Sequence, residues 1–119
     1  MTGIYRSVTV AGMNATTFAA LGEPSRLQIV ELLRLGPRSV GEIADDLGIR
    51  QPQASKHLGV LRRSEIVDVG PVGRRRIYHL RAEPFEELGA WLDTFERQWE
   101  ARLDALGAVL DTTDENEER

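Results

Sequence analysis

Two short stretches of this chain concentrate side chains suited to meeting a nucleic acid. The first is Gln51-Pro52-Gln53-Ala54-Ser55-Lys56-His57. It puts amides, a hydroxyl, an ammonium and an imidazole on the opening turns of what reads as a helix. Gln pairs bidentately with adenine and Lys donates to guanine in the major groove, while Ser55 and His57 suit phosphates as well. The second is Arg74-Arg75-Arg76, just after Gly73. The hairpin around them has one acid, Asp68, so three cations there lack local carboxylates. Phosphate or minor-groove contact is their natural use. Ordinary helix surface and a solvated loop are the alternatives.

Other chemistries lack their parts. The chain has no Cys, which removes disulfides, thiolate metal sites, iron–sulfur clusters and thiol catalysis. That fits a reducing cytoplasm, the expected location. His57 has no nucleophile or orienting carboxylate to work with, so no catalytic residue and no enzyme are expected. With only His57 and His79 present, a histidine-rich metal cage is not expected, nor is any cofactor. Asp93, Glu96, Glu100 and Asp104 share one polar helix face, which suits either a hard cation or plain solvation. No stretch approaches the ~18 apolar residues of a membrane span, and the first residues do not read as a signal peptide.

Charge sharpens the nucleic-acid reading. The 119 residues hold 15 Lys or Arg against 19 Asp or Glu, a net charge of −4. Residues 50–81 hold eight Lys or Arg and two acids, whereas residues 82–119 hold three Arg and twelve acids. A field acts locally, and a basic block of this density is the kind that meets phosphate. A basic face merely balanced by an acidic one is the other reading.

These residues need a scaffold, and one domain of this length supports its own core. Residues 1–13 have no clear period and are expected to form a mobile arm. Asn14 opens a short helix through Leu21, with Phe18 and Leu21 as its apolar face. Pro24 starts a second helix, in which Leu27, Ile29, Val30, Leu32 and Leu33 recur at helical spacing until Gly36-Pro37. Ser39-Val40-Gly41-Glu42 has the form of a capping box for a third, closed by Gly48. A fourth runs from Gln51 to Arg63 on a stripe of Ala54, Leu58 and Leu61. Two helices joined by a few residues, the second polar on its first turns, form a helix-turn-helix. Ile66–Val69 and Arg75–Leu80 read as strands around a Gly70–Gly73 turn, with Tyr78 and Leu80 facing inward.

Residues 84–110 read as one long helix. Phe85, Leu88, Leu92, Phe95, Trp99, Leu103, Leu106 and Leu110 step along it by threes and fours. That is more apolar surface than a small domain uses on a terminal helix, and a two-fold dimer is the usual way to cover it. Residues 111–119 are expected to be an acidic, disordered tail. The fold expected over residues 14–110 is therefore mainly α with a β-hairpin wing, a winged helix-turn-helix in the order α1-α2-α3-α4-β-β-α5.

The wording of four segments resembles the ArsR/SmtB family of bacterial repressors. They are Phe18–Val30, Val40–Gly48, Gln51–Arg63 with its Ser-Lys-His-Leu core, and Val72–Leu80. The resemblance implies a homodimeric, sequence-specific repressor on a (pseudo)palindromic DNA operator, in some members autoregulatory. It implies DNA contacts at Ser39, Gln51, Gln53, Ser55, Lys56, His57, Arg74, Arg75 and Arg76. It places the dimer interface on the first and last helices: Phe18, Leu21, Phe85, Leu88, Leu92, Phe95, Trp99, Leu103 and Leu106. One family metal site is a Cys-x-Cys where Ser39 and Gly41 stand, and another uses His on a last helix that here has none. The metal-independent branch is the better likeness. A protein-interaction module built on the long apolar helix, or a sensor using carboxylates and His, are the competing functions. Two departures are local. Arg50 stands where a capping Ser is common, and Glu65 where a Gly is usual.

Overall fold

The computed structural model describes Thr9–Val10 and residues 13–117, with side-chain placement from 15 to 111. Among the described residues there are five helices: α1 (Ala15–Leu21), α2 (Pro24–Arg34), α3 (Val40–Leu47), α4 (Gln51–Arg63) and α5 (Ala82–Glu117). Between them run β3 (Arg38–Ser39), β4 (Val67–Val72) and β5 (Arg75–Leu80), an antiparallel sheet in the order β3-β5-β4. Residues 9–10 (β1) and 13–14 (β2) pair antiparallel with each other. Of the expected mobile arm, these four residues are paired strand, and residues 1–8, 11 and 12 lie outside the described residues.

Each helix starts for a local reason. Glu23 caps α2 by accepting the Arg26 N–H at 2.9 Å, and Pro24 fills the first turn, where no N–H is needed. At α3 both halves of the expected capping box are present: Ser39 Oγ accepts from Glu42 N–H at 3.3 Å, and Glu42 Oε1 from Ser39 N–H at 3.0 Å.

The core is built from one face of each element. Ile29, Val30 and Leu33 of α2 meet Ile43 and Ala44 of α3, Ala54, Leu58 and Leu61 of α4, then Ile66 and Val67. Tyr78 and Leu80 pack against this core, as their alternation suggested, and so does Phe85. Leu27, expected among the apolar face of α2, is 46% exposed.

Several expectations need correction. Of the expected apolar face of α1, Leu21 packs against the core but Phe18 is 41% exposed, and the buried residues are Thr17 and Ala20, small enough for close approach. The hairpin turn is not Gly70–Gly73. Strand pairing continues through Gly70↔Ile77 and Pro71↔Arg76 to Val72↔Arg75, leaving Gly73-Arg74 as a two-residue loop. Gly73 has φ 62, which only glycine adopts freely at that place in a tight hairpin. Pro71 is tolerated because β4 is an edge strand. The third strand, β3, was not foreseen. The last helix begins at Ala82 and runs through Glu117, so the expected disordered tail is helical up to that residue.

At ~1.5 Å per residue the 36 residues of α5 span roughly 54 Å. The domain beside it is far shorter, so the distal half projects. The molecule measures 77 × 31 × 23 Å with a radius of gyration of 21.0 Å, against about 13–14 Å for a compact chain of this length.

Candidate nucleic-acid interface

The connection between α3 and α4 is Gly48-Ile49-Arg50. Gly48 takes φ 66, and Ile49 N–H returns to Ala44 O at 3.0 Å, so the chain reverses within three residues. Arg50 then occupies the N-cap of α4 and offers no side-chain acceptor. Gln53 supplies the reciprocal half instead: its Oε1 accepts Arg50 N–H at 3.2 Å, while its own N–H goes to Arg50 O at 3.0 Å. The Gln53 amide nitrogen is left as an outward donor.

The far end of α4 shows the same device with a costlier residue. Ile66 N–H bonds Leu61 O at 2.9 Å and Glu65 N–H bonds Arg62 O at 3.0 Å, with Glu65 at φ 60. A side chain in this left-handed conformation costs about 1 kcal/mol. Leu61 and Ile66, both fully buried, hold the reversal in place.

The helix so fixed exposes Gln51, Gln53, Ser55 and Lys56 together, and Lys56 makes no ion pair among the described residues. His57 is turned away from this group. Its side chain is 23% exposed, with Nδ1 3.7 Å from Glu23 Oε2. Hydrogen bonding to the Arg26 backbone N–H holds the Glu23 carboxyl below the usual range.

On the wing, Arg74 and Arg76 are exposed and unpaired among the described residues. Arg75 is different. Its Nη2 donates to Ser39 Oγ at 3.0 Å and to Glu42 Oε1. The expectation that the three arginines lack carboxylate partners therefore fails at Arg75, because its partner comes from α3 rather than from the hairpin. The Glu42 carboxyl lies below the usual range, held there by the Ser39 backbone N–H first, then the Ser39 hydroxyl and the Arg75 charge. Glu42 was legible in the sequence as a capping residue but not as a wing contact.

Along α5 the side chains expected at a dimer interface divide. Phe85 packs on its own core, as does Leu21 of α1, and Leu88 is half-buried. Leu92, Phe95, Trp99, Leu103 and Leu106 are 43–57% exposed. Phe18 meets Trp91 edge-on at 4.9 Å, and Trp91 meets Phe95 at 4.8 Å, so α1 is fastened to α5 by a ring not foreseen as a contact. Arg26 fastens its other end, donating from Nε to Ala20 O at 2.7 Å. Among the described residues no three His, Asp or Glu side chains converge to hold a metal, and no helix is long and apolar enough to cross a membrane.

A helix-turn-helix carrying an exposed polar first turn, followed by a basic two-stranded wing, defines a winged helix-turn-helix protein. Residues 23–69 match the model of the bacterial regulatory protein, arsR family. Over 93 residues the chain is 38% identical to the HTH-type transcriptional regulator Rv2034 of Mycobacterium tuberculosis, spanning 78% of this chain and 84% of that one. It is 30% identical to the transcriptional repressor SdpR of Bacillus subtilis, over 66% of this chain and 87% of the other. The homodimeric winged helix-turn-helix DNA-binding domain of Mb0332 from Mycobacterium bovis superposes with a TM-score of 0.58 at 31% identity, covering 71% of this chain and 78% of that one. The chain belongs to the arsR family of transcriptional regulators.

Proposed function

We propose that the protein is a sequence-specific DNA-binding repressor acting as a homodimer on a two-fold-related operator, with autoregulation as one outcome. The observation that carries this is the arrangement of α4 and the wing. The exposed face of α4 presents Gln51, Gln53, Ser55 and Lys56, and the hairpin presents Arg74 and Arg76, all clear of intramolecular ion pairs among the described residues. Two such units related by a dyad would set α4 into successive major grooves about 10 bp apart, with each wing on flanking phosphates. Ser39, His57 and Arg75 join this surface in a second role: they hold α3, α4 and the wing in register. The exposed apolar row of α5 supplies the dimer seam.

The test is a titration of random duplex and of DNA upstream of the gene at several salt concentrations. Replacing Arg74 and Arg76 by Ala should weaken both duplexes and lower the salt slope by roughly one unit per lost phosphate contact. Lys56→Ala should instead erode sequence preference by ~1–3 kcal/mol. A wing double variant that binds both duplexes like wild type overturns the reading.

A further inference from the structure

Among the described residues Arg75 is the wing arginine with an acidic partner, Glu42, which stands where a carboxylate is otherwise out of place. Glu42 is on the first turn of α3, exposed, and within the surface that the reading above turns toward DNA. Its Oε1 takes a hydrogen bond from Ser39 N–H and another from Arg75 Nη2. Arg75 Nη2 also reaches Ser39 Oγ at 3.0 Å, so one guanidinium nitrogen bridges both members of the cap. The pair is half-exposed, with side chains 57% and 46% accessible for Arg75 and Glu42. Exposed pairs of this kind are weak and exchange readily.

We propose that Glu42 attenuates non-specific DNA binding by holding the Arg75 cation away from phosphate. This rests on the DNA-binding reading. Arg74 and Arg76 meet any duplex with their full charge, because among the described residues no carboxylate pairs with them. Arg75 releases a counterion only where a phosphate displaces Glu42. Loosely seated complexes offer a phosphate at poor distance, so they forgo this contact. A well-seated complex makes it. Glu42 thereby widens the gap between specific and non-specific affinity, which is the quantity that matters among many competing sites. It is a specificity-determining residue that need not touch a base.

The substitution that isolates this role is Glu42→Gln. Glutamine keeps the carbonyl that accepts Ser39 N–H, so α3 stays capped, and it removes only the charge. Thermal melting of the full chain checks that the fold is kept. Wild type, E42Q, the double variant E42Q/R75A, and E31Q are titrated with a random 30-bp duplex at several salt concentrations. Glu31 is a control: it pairs with Arg34 on its own helix, at 3.2 Å.

The expected result is that E42Q binds random duplex several-fold more tightly than wild type, with a salt slope steeper by about 0.9. E31Q leaves both unchanged, and adding R75A to E42Q removes the gain. An E42Q slope equal to wild type overturns the proposal. So does a gain that survives in the double variant, or one matched by E31Q, since either reports net charge rather than release of Arg75. Wild-type protein that binds no duplex even at low salt sinks the DNA-binding reading itself and this inference with it.

Discussion

The compact domain and the projecting half of α5 use the same apolar residue types to opposite ends. In the domain, Leu58, Leu61, Ile43 and Ile66 are fully buried, each by neighbours from the same chain. On α5 beyond Leu88, Trp99, Leu103 and Leu106 stay more than half exposed. The domain residues lie on short elements that fold back on one another. Among the described residues the distal helix has no second element packed along it, and its apolar side chains stay exposed. Burial is thus set by topology rather than by hydrophobicity, and the unburied row is where the proposed dimer seam lies.

That contrast can be broken from either side. The largest effect belongs to the core: Leu58→Ala should cost 2–5 kcal/mol, read as a shift of the denaturant midpoint. A loss under 1 kcal/mol would show that the domain does not depend on this packing. Next comes the helix. The pair Trp99→Asp and Leu103→Asp should leave the domain folded by circular dichroism, yet raise the dimer dissociation constant by ~30-fold or more, as expected for a loss of at least ~2 kcal/mol at an interface centre. Sedimentation equilibrium reads this, and an unchanged dimer would place the seam elsewhere. The smallest effect is acid lability confined to the domain. Glu23 and Glu42 have folded-state pKa values lowered from 4.5 by hydrogen bonds to backbone N–H groups. Their contribution is therefore complete above the unfolded value and is lost as pH falls through the depressed folded one. Melting temperatures of wild type should drop between pH 5 and 3, and E42Q should drop less. Equal drops would remove Glu42 from the account.

How much could be read beforehand follows the same division between local and distant causes. The capping box at Ser39, the Gly48 reversal, the span Gln51–Arg63 and the buried stripe of α4 are written in neighbouring residues, and they could be read directly. The family's usual glycine at Glu65 marked that position as unusual, but its left-handed φ of 60 is seen only in the structure. The turn was misplaced because Gly70-Pro71 looks like a local breaker, while the cross-strand register that overrides it involves Ile77 and Arg76, seven and five positions on. The two-residue β3 has no signal of its own, since it exists only as a partner of Tyr78 and Ile77. Likewise Arg75 finds Glu42 across 33 positions of sequence, a pairing no local pattern announces. The candidate DNA-facing side chains could be named in advance, but not which of them are already engaged with the protein.

Pro71 carries a last consequence. It sits on β4, an edge of the three-stranded sheet, and brings no N–H to offer a neighbouring strand. The opposite edge, β3, is only two residues long. Exposed edges are templates for runaway strand addition between molecules, and here one is blunted by an imino acid and the other by brevity. Self-association through this sheet is thereby discouraged.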